Sequence, residues 1–275
     1  MHISDLHAGP PFNSQIAAHV AELAHQIAPD LLVISGDFVQ RADFSAQWHT
    51  IRQFVETLPQ PMLMVPGNHD VPLLNVFARI FTPLRRYQHY ISHDIQPVFE
   101  KPGLAVLGAC TAHGITGDGG KLNRQTAATL AQRLQQYGRD VCKIVVWHHP
   151  VINPPGLIRR REMAGHVDAV RLLDRCDVDL LLCGHLHVSY VGNTLDVRND
   201  LAHGTIICQS GTTTSRRGFG RERGKNSFNL IDIDDQQIRI KHYVYFQNRG
   251  TFLPAAEHCF PRRTVNIHEE PFGAA

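Results

Sequence analysis

Five segments of this chain place polar side chains where the flanking pattern calls for none. Asp5 and His7 stand in "ISDLH", Asp37 in "ISGDF", Asn68 and His69 in "VPGNHD", His148 and His149 in "WHHP", and His185 and His187 in "CGHLH". Each belongs to a short run with the look of a buried strand, where an unpaired polar group carries a desolvation cost. Any one of them could cap a turn or satisfy a local hydrogen bond. Five in one chain point to a common destination. In an α/β sheet the residues just past the carboxyl ends of the strands converge on one crevice, where ligands bind. Within the pairs Asp5/His7 and His185/His187, an extended backbone would aim both side chains the same way.

The intervening sequence has the alternation such a sheet needs. Apolar residues at Ile16, Val20, Leu23 and Ile27 have helical spacing and stop at Pro29, and "LLVISGD" follows as a strand. Further helices are expected over about 43–57, 123–137 and 163–174, each leading into an apolar run that ends in one of the polar clusters. "IQPVFE" and "LAVLGAC" read as strands. The last third changes character: "GTIICQSG", "NSFNLIDI" and "QIRIKHYVYF" are strands without helices between them. The residues alone therefore predict a three-layer α/β fold, largely parallel at first and more antiparallel at the end. Residues 1–246 are expected to form the domain and 247–275 a C-terminal tail packed on or extending from it.

Composition narrows the function classes. The 275 residues carry 27 basic and 25 acidic side chains, a balance that argues neither for nor against nucleic acid, and 18 histidines. The six cysteines lack CxxC pairing and mostly lie in apolar runs, as expected of small buried hydrophobes in a reducing compartment. No signal peptide is read, and no apolar run approaches the roughly 18 residues that span a bilayer. A cytoplasmic location is the expectation.

Carboxylates, an amide and imidazoles without thiolates suit divalent metals such as manganese, iron or zinc. Seven such donors are too many for one tetrahedral site and fit two sites sharing a carboxylate. The ordered set "DLH", "GD", "GNHD", "HHP" and "GHLH" resembles the calcineurin-like metallophosphoesterase family over roughly residues 3–245. The resemblance implies a four-layer α/β/β/α sandwich of two mixed sheets flanked by helices. It also implies two divalent or mixed-valence transition metals, one on Asp5, His7, Asp37 and His187, the other on Asp37, Asn68, His148 and His185. His148 rather than His149 is chosen because the family pattern is His-x-Pro, ending here at Pro150. His69 would stand outside the metal shell as general acid, oriented by Asp70. Two departures are expected to matter. Gln40 replaces an aspartate common in the family, which should alter tuning, and only Met1 and His2 precede "ISDLH", suggesting a shortened edge strand or a start placed late.

Fragments "GNHDVPL", "SGT" and "NSFNLI" resemble a bacterial branch described as cyclic-nucleotide phosphodiesterase-like. The function expected from the resemblance is hydrolysis of phosphodiesters in small nucleotide-like substrates, 3',5'-cyclic nucleotides included. The alternatives are a UDP-diacylglucosamine-type nucleotide-lipid pyrophosphatase and, more remotely, a non-catalytic scaffold. The apolar and basic segment 71–94 reads as a helix with a packed linker, or as a cap whose Arg85 and Arg86 reach an anionic leaving group. Basic loops occur in "INPPGLIRRR" and between Arg216 and Lys225. The expected partner is a small phosphate ester and not a long nucleic acid; peripheral membrane contact and a homo-oligomer are left open.

Overall fold

The computed structural model describes residues 1–156 and 162–263. Its first sheet contains β1 (His2–Ile3), β2 (Leu32–Ile34), β3 (Met62–Met64), β10 (Ser227–Ile233), β11 (Gln237–Phe246) and β12 (Thr251–Pro261), in the order β12-β11-β10-β1-β2-β3. The second contains β4 (Val98–Lys101), β5 (Leu104–Gly108), β6 (Cys142–Val146), β7 (Leu180–Cys183), β8 (Tyr190–Asn193) and β9 (Ile206–Gln209), in the order β4-β5-β6-β7-β9-β8. Strands β1, β2 and β3 run parallel, as do β5, β6, β7 and β9, while the outer pairings are antiparallel. Both sheets are therefore mixed.

Side-chain alternation divides each strand between two cores. Leu32 and Ile34 join the helix-covered core of the first sheet, while Val33 points into the space between the sheets. Val145 and Leu181 pack outward on the second sheet, whereas Ile144, Val146, Leu180 and Leu182 pack inward with Leu63, Val65 and Ile240. Three apolar layers between four layers of secondary structure replace the three-layer fold expected from the residues alone and match the sandwich the resemblance implied. A fully apolar strand is buried on both faces in either arrangement, so its sequence does not reveal whether helix or sheet covers the second face.

Helices α1 (Ser14–Ile27) and α2 (Ser45–Glu56) cover the first sheet, and α5 (Arg124–Leu134) and α6 (His166–Arg175) the second. Asn13 caps α1 by accepting the N–H groups of Gln15 and Ile16, and left-handed Ala28 ends it just before Pro29. Three elements depart from expectation. β1 is short but interior, held between β10 and β2, rather than an edge. Segment 71–94 forms two short helices, α3 (Val76–Phe81) and α4 (Arg85–Tyr90); Tyr87 of α4 is buried, whereas α3 buries nothing. Thr251–Pro261, within the stretch read as a tail, is the edge strand β12. Residues 264–275, and 157–161 of the basic "INPPGLIRRR" loop, lie outside the described residues. No helix among the described residues is long and apolar enough to cross a membrane.

Candidate metal centre

The five polar segments meet at the carboxyl-terminal end of the parallel strands. Asp5 and His7 follow β1, Asp37 follows β2 and Asn68 follows β3; His148 and His149 follow β6, and His185 and His187 follow β7. The two sheets thus contribute opposite halves of one site. Its backbone is not extended: Asp5, His7, Asp37, His185 and His187 have φ of 55°, 49°, 56°, 76° and 55°. The pairs converge through left-handed turns, correcting the strand alternation inferred from sequence. Among non-glycine residues this conformation is sparsely populated, costs of order 1–3 kcal/mol where strained, and concentrates at functional sites.

Ligand atoms of Asp5, His7, Asp37 and His187 all lie within 4.8 Å of one another, and those of His148, His149 and His185 form a second such group. His7 Nε2 is 2.9 Å from His187 Nε2 and 3.7 Å from both Asp5 Oδ1 and Asp37 Oδ2. His148 Nε2 is 3.3 Å from the same Asp37 oxygen, and Asn68 Oδ1 is 3.0 Å from His185 Nδ1. All seven expected donors are therefore brought together, with Asp37 between the two sets.

One atom of each key side chain is committed to the scaffold and the other left open. Asp5 Oδ2 accepts the His185 N–H at 3.0 Å, and Asp37 Oδ1 accepts the His69 N–H at 2.8 Å. His148 Nδ1 donates to the Ser35 carbonyl at 2.7 Å. What remains, Asp5 Oδ1, Asp37 Oδ2 and His148 Nε2, is buried without a hydrogen-bond partner. Such groups are expensive unless a cation completes them, and fixing one imidazole nitrogen to orient the other is how metal-ligating histidines are held. The residues fit a pair of divalent ions.

Electrostatics agree. Burial pushes the Asp5 and Asp37 carboxyls up, but His187 and His7 beside Asp5, and His148, His69 and His7 beside Asp37, hold both well below the usual range. Burial alone would lower His148; facing Asp37 raises it to about 9. Burial lowers His7 and His185 to about 3, leaving both as neutral imidazoles.

The loop after β3 corrects one expected role. Asp70 does not touch the His69 ring: its carboxylate accepts N–H groups from Gly67 at 2.8 Å, Phe38 at 2.9 Å and Val39 at 3.2 Å, tying this loop to the one carrying Asp37. Burial and the Asp37 charge push Asp70 up to about 8. The His69 ring is oriented by Gln40, whose carbonyl accepts Nδ1–H at 2.8 Å and Arg41 Nη1 at 3.1 Å. Because that proton points to Gln40, the 3.2 Å approach of Arg41 Nη1 to His69 Nδ1 is proximity and not a hydrogen bond. Burial lowers the His69 pKa, Asp37 opposes this, and Arg217 and Arg41 reinforce it. The close packing requires glycine: a Cβ on Gly67 would meet Asp37 Oδ1 at 2.2 Å.

Several groups around the donors had no role assigned from sequence or take a different one. His149 lies in the cluster, its Nδ1 2.8 Å from Thr111 Oγ1 and its buried Nε2 without a partner; the His–His doublet was the only signal for it. Thr212 and Thr214 donate to the carbonyls of Asp5 and Leu6, holding the first loop from β10's side, a role no spacing rule reveals. Of the basic loop, Arg217 donates to Gln40 Oε1 at 2.8 Å and Arg221 to the Ser189 carbonyl at 2.7 Å. Arg86, which the cap reading of segment 71–94 aimed at a leaving group, donates to the carbonyls of Ala42 and Asp43.

Comparison with known proteins agrees with this geometry. The family profile described as calcineurin-like phosphoesterase matches residues 1–189. A probable cyclic nucleotide phosphodiesterase from Synechococcus is 28% identical over 187 residues, a match spanning 64% of this chain and 64% of that protein. Among solved structures, purple acid phosphatase PPD1 from yellow lupin superposes with a TM-score of 0.70 at 12% identity, covering 95% of this chain and 53% of that one. A dimetal phosphatase from Danio rerio gives a TM-score of 0.65 at 12% identity, covering 92% and 96%. At these identities the two structures share the fold.

Proposed function

This chain belongs to the calcineurin-like phosphoesterase family, and from that premise we propose that it is a two-metal phosphodiesterase acting on small nucleotide-like diesters, 3',5'-cyclic nucleotides among them. The observation that carries the proposal is Asp37 Oδ2, an open, buried carboxylate oxygen between His7 of one donor set and His148 of the other. Asp5, His7, Asp37 and His187 would hold one ion, and Asp37, Asn68, His148 and His185 the second. Two divalent ions there supply Lewis-acid activation of water and neutralise charge on the phosphoryl oxygens.

The leaving side belongs to His69. With Nδ1–H fixed on the Gln40 carbonyl, a proton on Nε2 is the one available to the departing oxygen, which returns the ring to its neutral tautomer. Asp70 acts at one remove by keeping the loop of His69 against the loop of Asp37. The complete donor set argues against a non-catalytic scaffold. The resemblance to the Synechococcus protein supports a cyclic-nucleotide substrate. The exposed apolar residues of α3 favour, as a second reading, a nucleotide-lipid pyrophosphatase.

The test is turnover of bis(p-nitrophenyl) phosphate with manganese, beside a panel of cyclic nucleotides, UDP-diacylglucosamine and phosphomonoesters. Manganese-dependent cleavage of the diester and of at least one cyclic nucleotide is expected. A preference for the lipid substrate by orders of magnitude would transfer the assignment to the second reading, and no diester cleavage with any divalent metal would defeat both.

A further inference from the structure

Helix α3 is amphipathic in the reverse sense. Val76, Phe77, Ile80 and Phe81 occupy positions i, i+1, i+4 and i+5, an arc of about 140° at 100° per residue, and this apolar arc faces solvent. Phe77 is 78% exposed, Phe81 68% and Val76 60%, while Ala78 and Arg79 are partly covered. Leu73 and Leu74, also exposed, extend the face toward the metal centre, three and four residues beyond Asp70. Contiguous apolar surface of this kind marks a contact with another phase or partner.

The segment is held in this pose. The Asp43 carboxylate accepts the N–H groups of Leu73, Leu74 and Asn75 at 2.8, 3.1 and 2.9 Å, and Asn75 Oδ1 caps α3 through the Ala78 N–H at 2.9 Å. Arg79 donates back to the Pro72 carbonyl. The loop after β5 packs against the same helix so closely that a Cβ on Gly114 would meet the Arg79 carbonyl at 1.8 Å, which sets the 88% exposed Ile115 beside it.

We propose that this face docks on an anionic lipid bilayer, with Leu73, Leu74, Val76, Phe77, Ile80 and Phe81 entering the headgroup and acyl boundary. Charge complementarity selects that occupant. Segment 71–94 carries three arginines and two histidines against one acid, Asp94, and Arg85 is exposed. The nearby acid Asp43 is engaged by three backbone N–H groups. A second copy would set this net positive segment against its like, whereas anionic lipid supplies a phosphate for the exposed Arg85 and hydrocarbon for the phenylalanines. The inference goes beyond the phosphodiesterase assignment and its test needs no catalysis.

The experiment is co-flotation of the full chain with vesicles of phosphatidylglycerol and phosphatidylcholine, against vesicles of phosphatidylcholine alone, at low and high salt. Binding to the anionic vesicles that weakens with salt is expected. The double variant Phe77→Ser/Phe81→Ser should bind about tenfold more weakly or worse, and Arg85→Glu should lose affinity for anionic vesicles. Phe77 and Phe81 are exposed and belong to no part of the metal centre, so circular dichroism and bis(p-nitrophenyl) phosphate turnover of the double variant should be unchanged. Three outcomes overturn the proposal: no binding to either vesicle, equal binding to both compositions, or double-variant binding equal to that of the unmodified chain. A dimer that dissociates in the double variant, without vesicle binding, would also overturn it and assign the face to a second copy.

Discussion

The Nε2 of His148 stands 3.3 Å from the Oδ2 of Asp37, and neither buried atom has a hydrogen-bond partner. His148 follows a strand of one sheet and Asp37 a strand of the other, so this pair closes the site across the sandwich. Without a cation the pair favours an imidazolium beside a carboxylate, which is why the His148 pKa is raised to about 9.

A proton should therefore leave when metal enters. Near pH 7.5, below the raised pKa, His148 is protonated in the metal-free protein, and a ligand must be neutral. Titration calorimetry in buffers of different ionisation enthalpy should show about one proton released per chain at that pH, falling toward none as pH rises past about 9. The same titration of His148→Ala should lack this proton. No release from the unmodified protein at pH 7.5 would place His148 outside the metal set.

Neighbouring residues of the "GNHD" loop should fail differently. Asn68→Ala should weaken one metal site and recover in part with excess manganese. His69→Ala should keep both metals yet lower kcat by about 10²- to 10⁴-fold, the usual range for a lost general acid, most for diesters with alkoxide leaving groups and least for nitrophenolate. Metal content and kcat across a leaving-group series check this. Equal slowing of every diester would remove His69 from the acid role.

Acid should loosen the buried contacts of Glu222, whose carboxylate accepts the Ser189 N–H at 2.8 Å and the Ser227 hydroxyl at 2.8 Å. Burial pushes this carboxyl up, but His242 and Ser189 outweigh that and hold it at about 2. A depressed value contributes stability above the unfolded value near 4.5, and that contribution is lost as pH falls toward about 2, amounting to about 3 kcal/mol. Urea unfolding of the chain and of Glu222→Gln from pH 7 to pH 3 should show the difference between them shrinking below about pH 4.5. A pH-independent difference would mean the effect is packing alone.

The centre was legible in the sequence because its donors are polar groups placed after buried strands, where the cost of an unpaired atom makes them conspicuous. What was illegible depends on partners distant in the chain. Nothing local links Gln40 to the His69 ring or Thr212 to the Asp5 carbonyl. Spacing brought Asp5 and His7 together for the wrong reason, since strand alternation and left-handed turns both let residues two apart converge. The second sheet was hidden because Leu180–Cys183 is apolar at every position. The outward face of α3 was hidden too, because apolar periodicity gives the face and not the direction in which it points.

The most direct measurement is the metal content of the protein and of Asp37→Asn, by elemental analysis after manganese loading and desalting. If Asp37 bridges the two donor sets, the unmodified chain should retain about two ions, and Asp37→Asn should lose both because a neutral amide with one donor oxygen does not replace a carboxylate shared by both sets. His7→Ala, which touches one set, should keep about one. Retention of two ions by Asp37→Asn, or of none by the unmodified chain, would contradict the account.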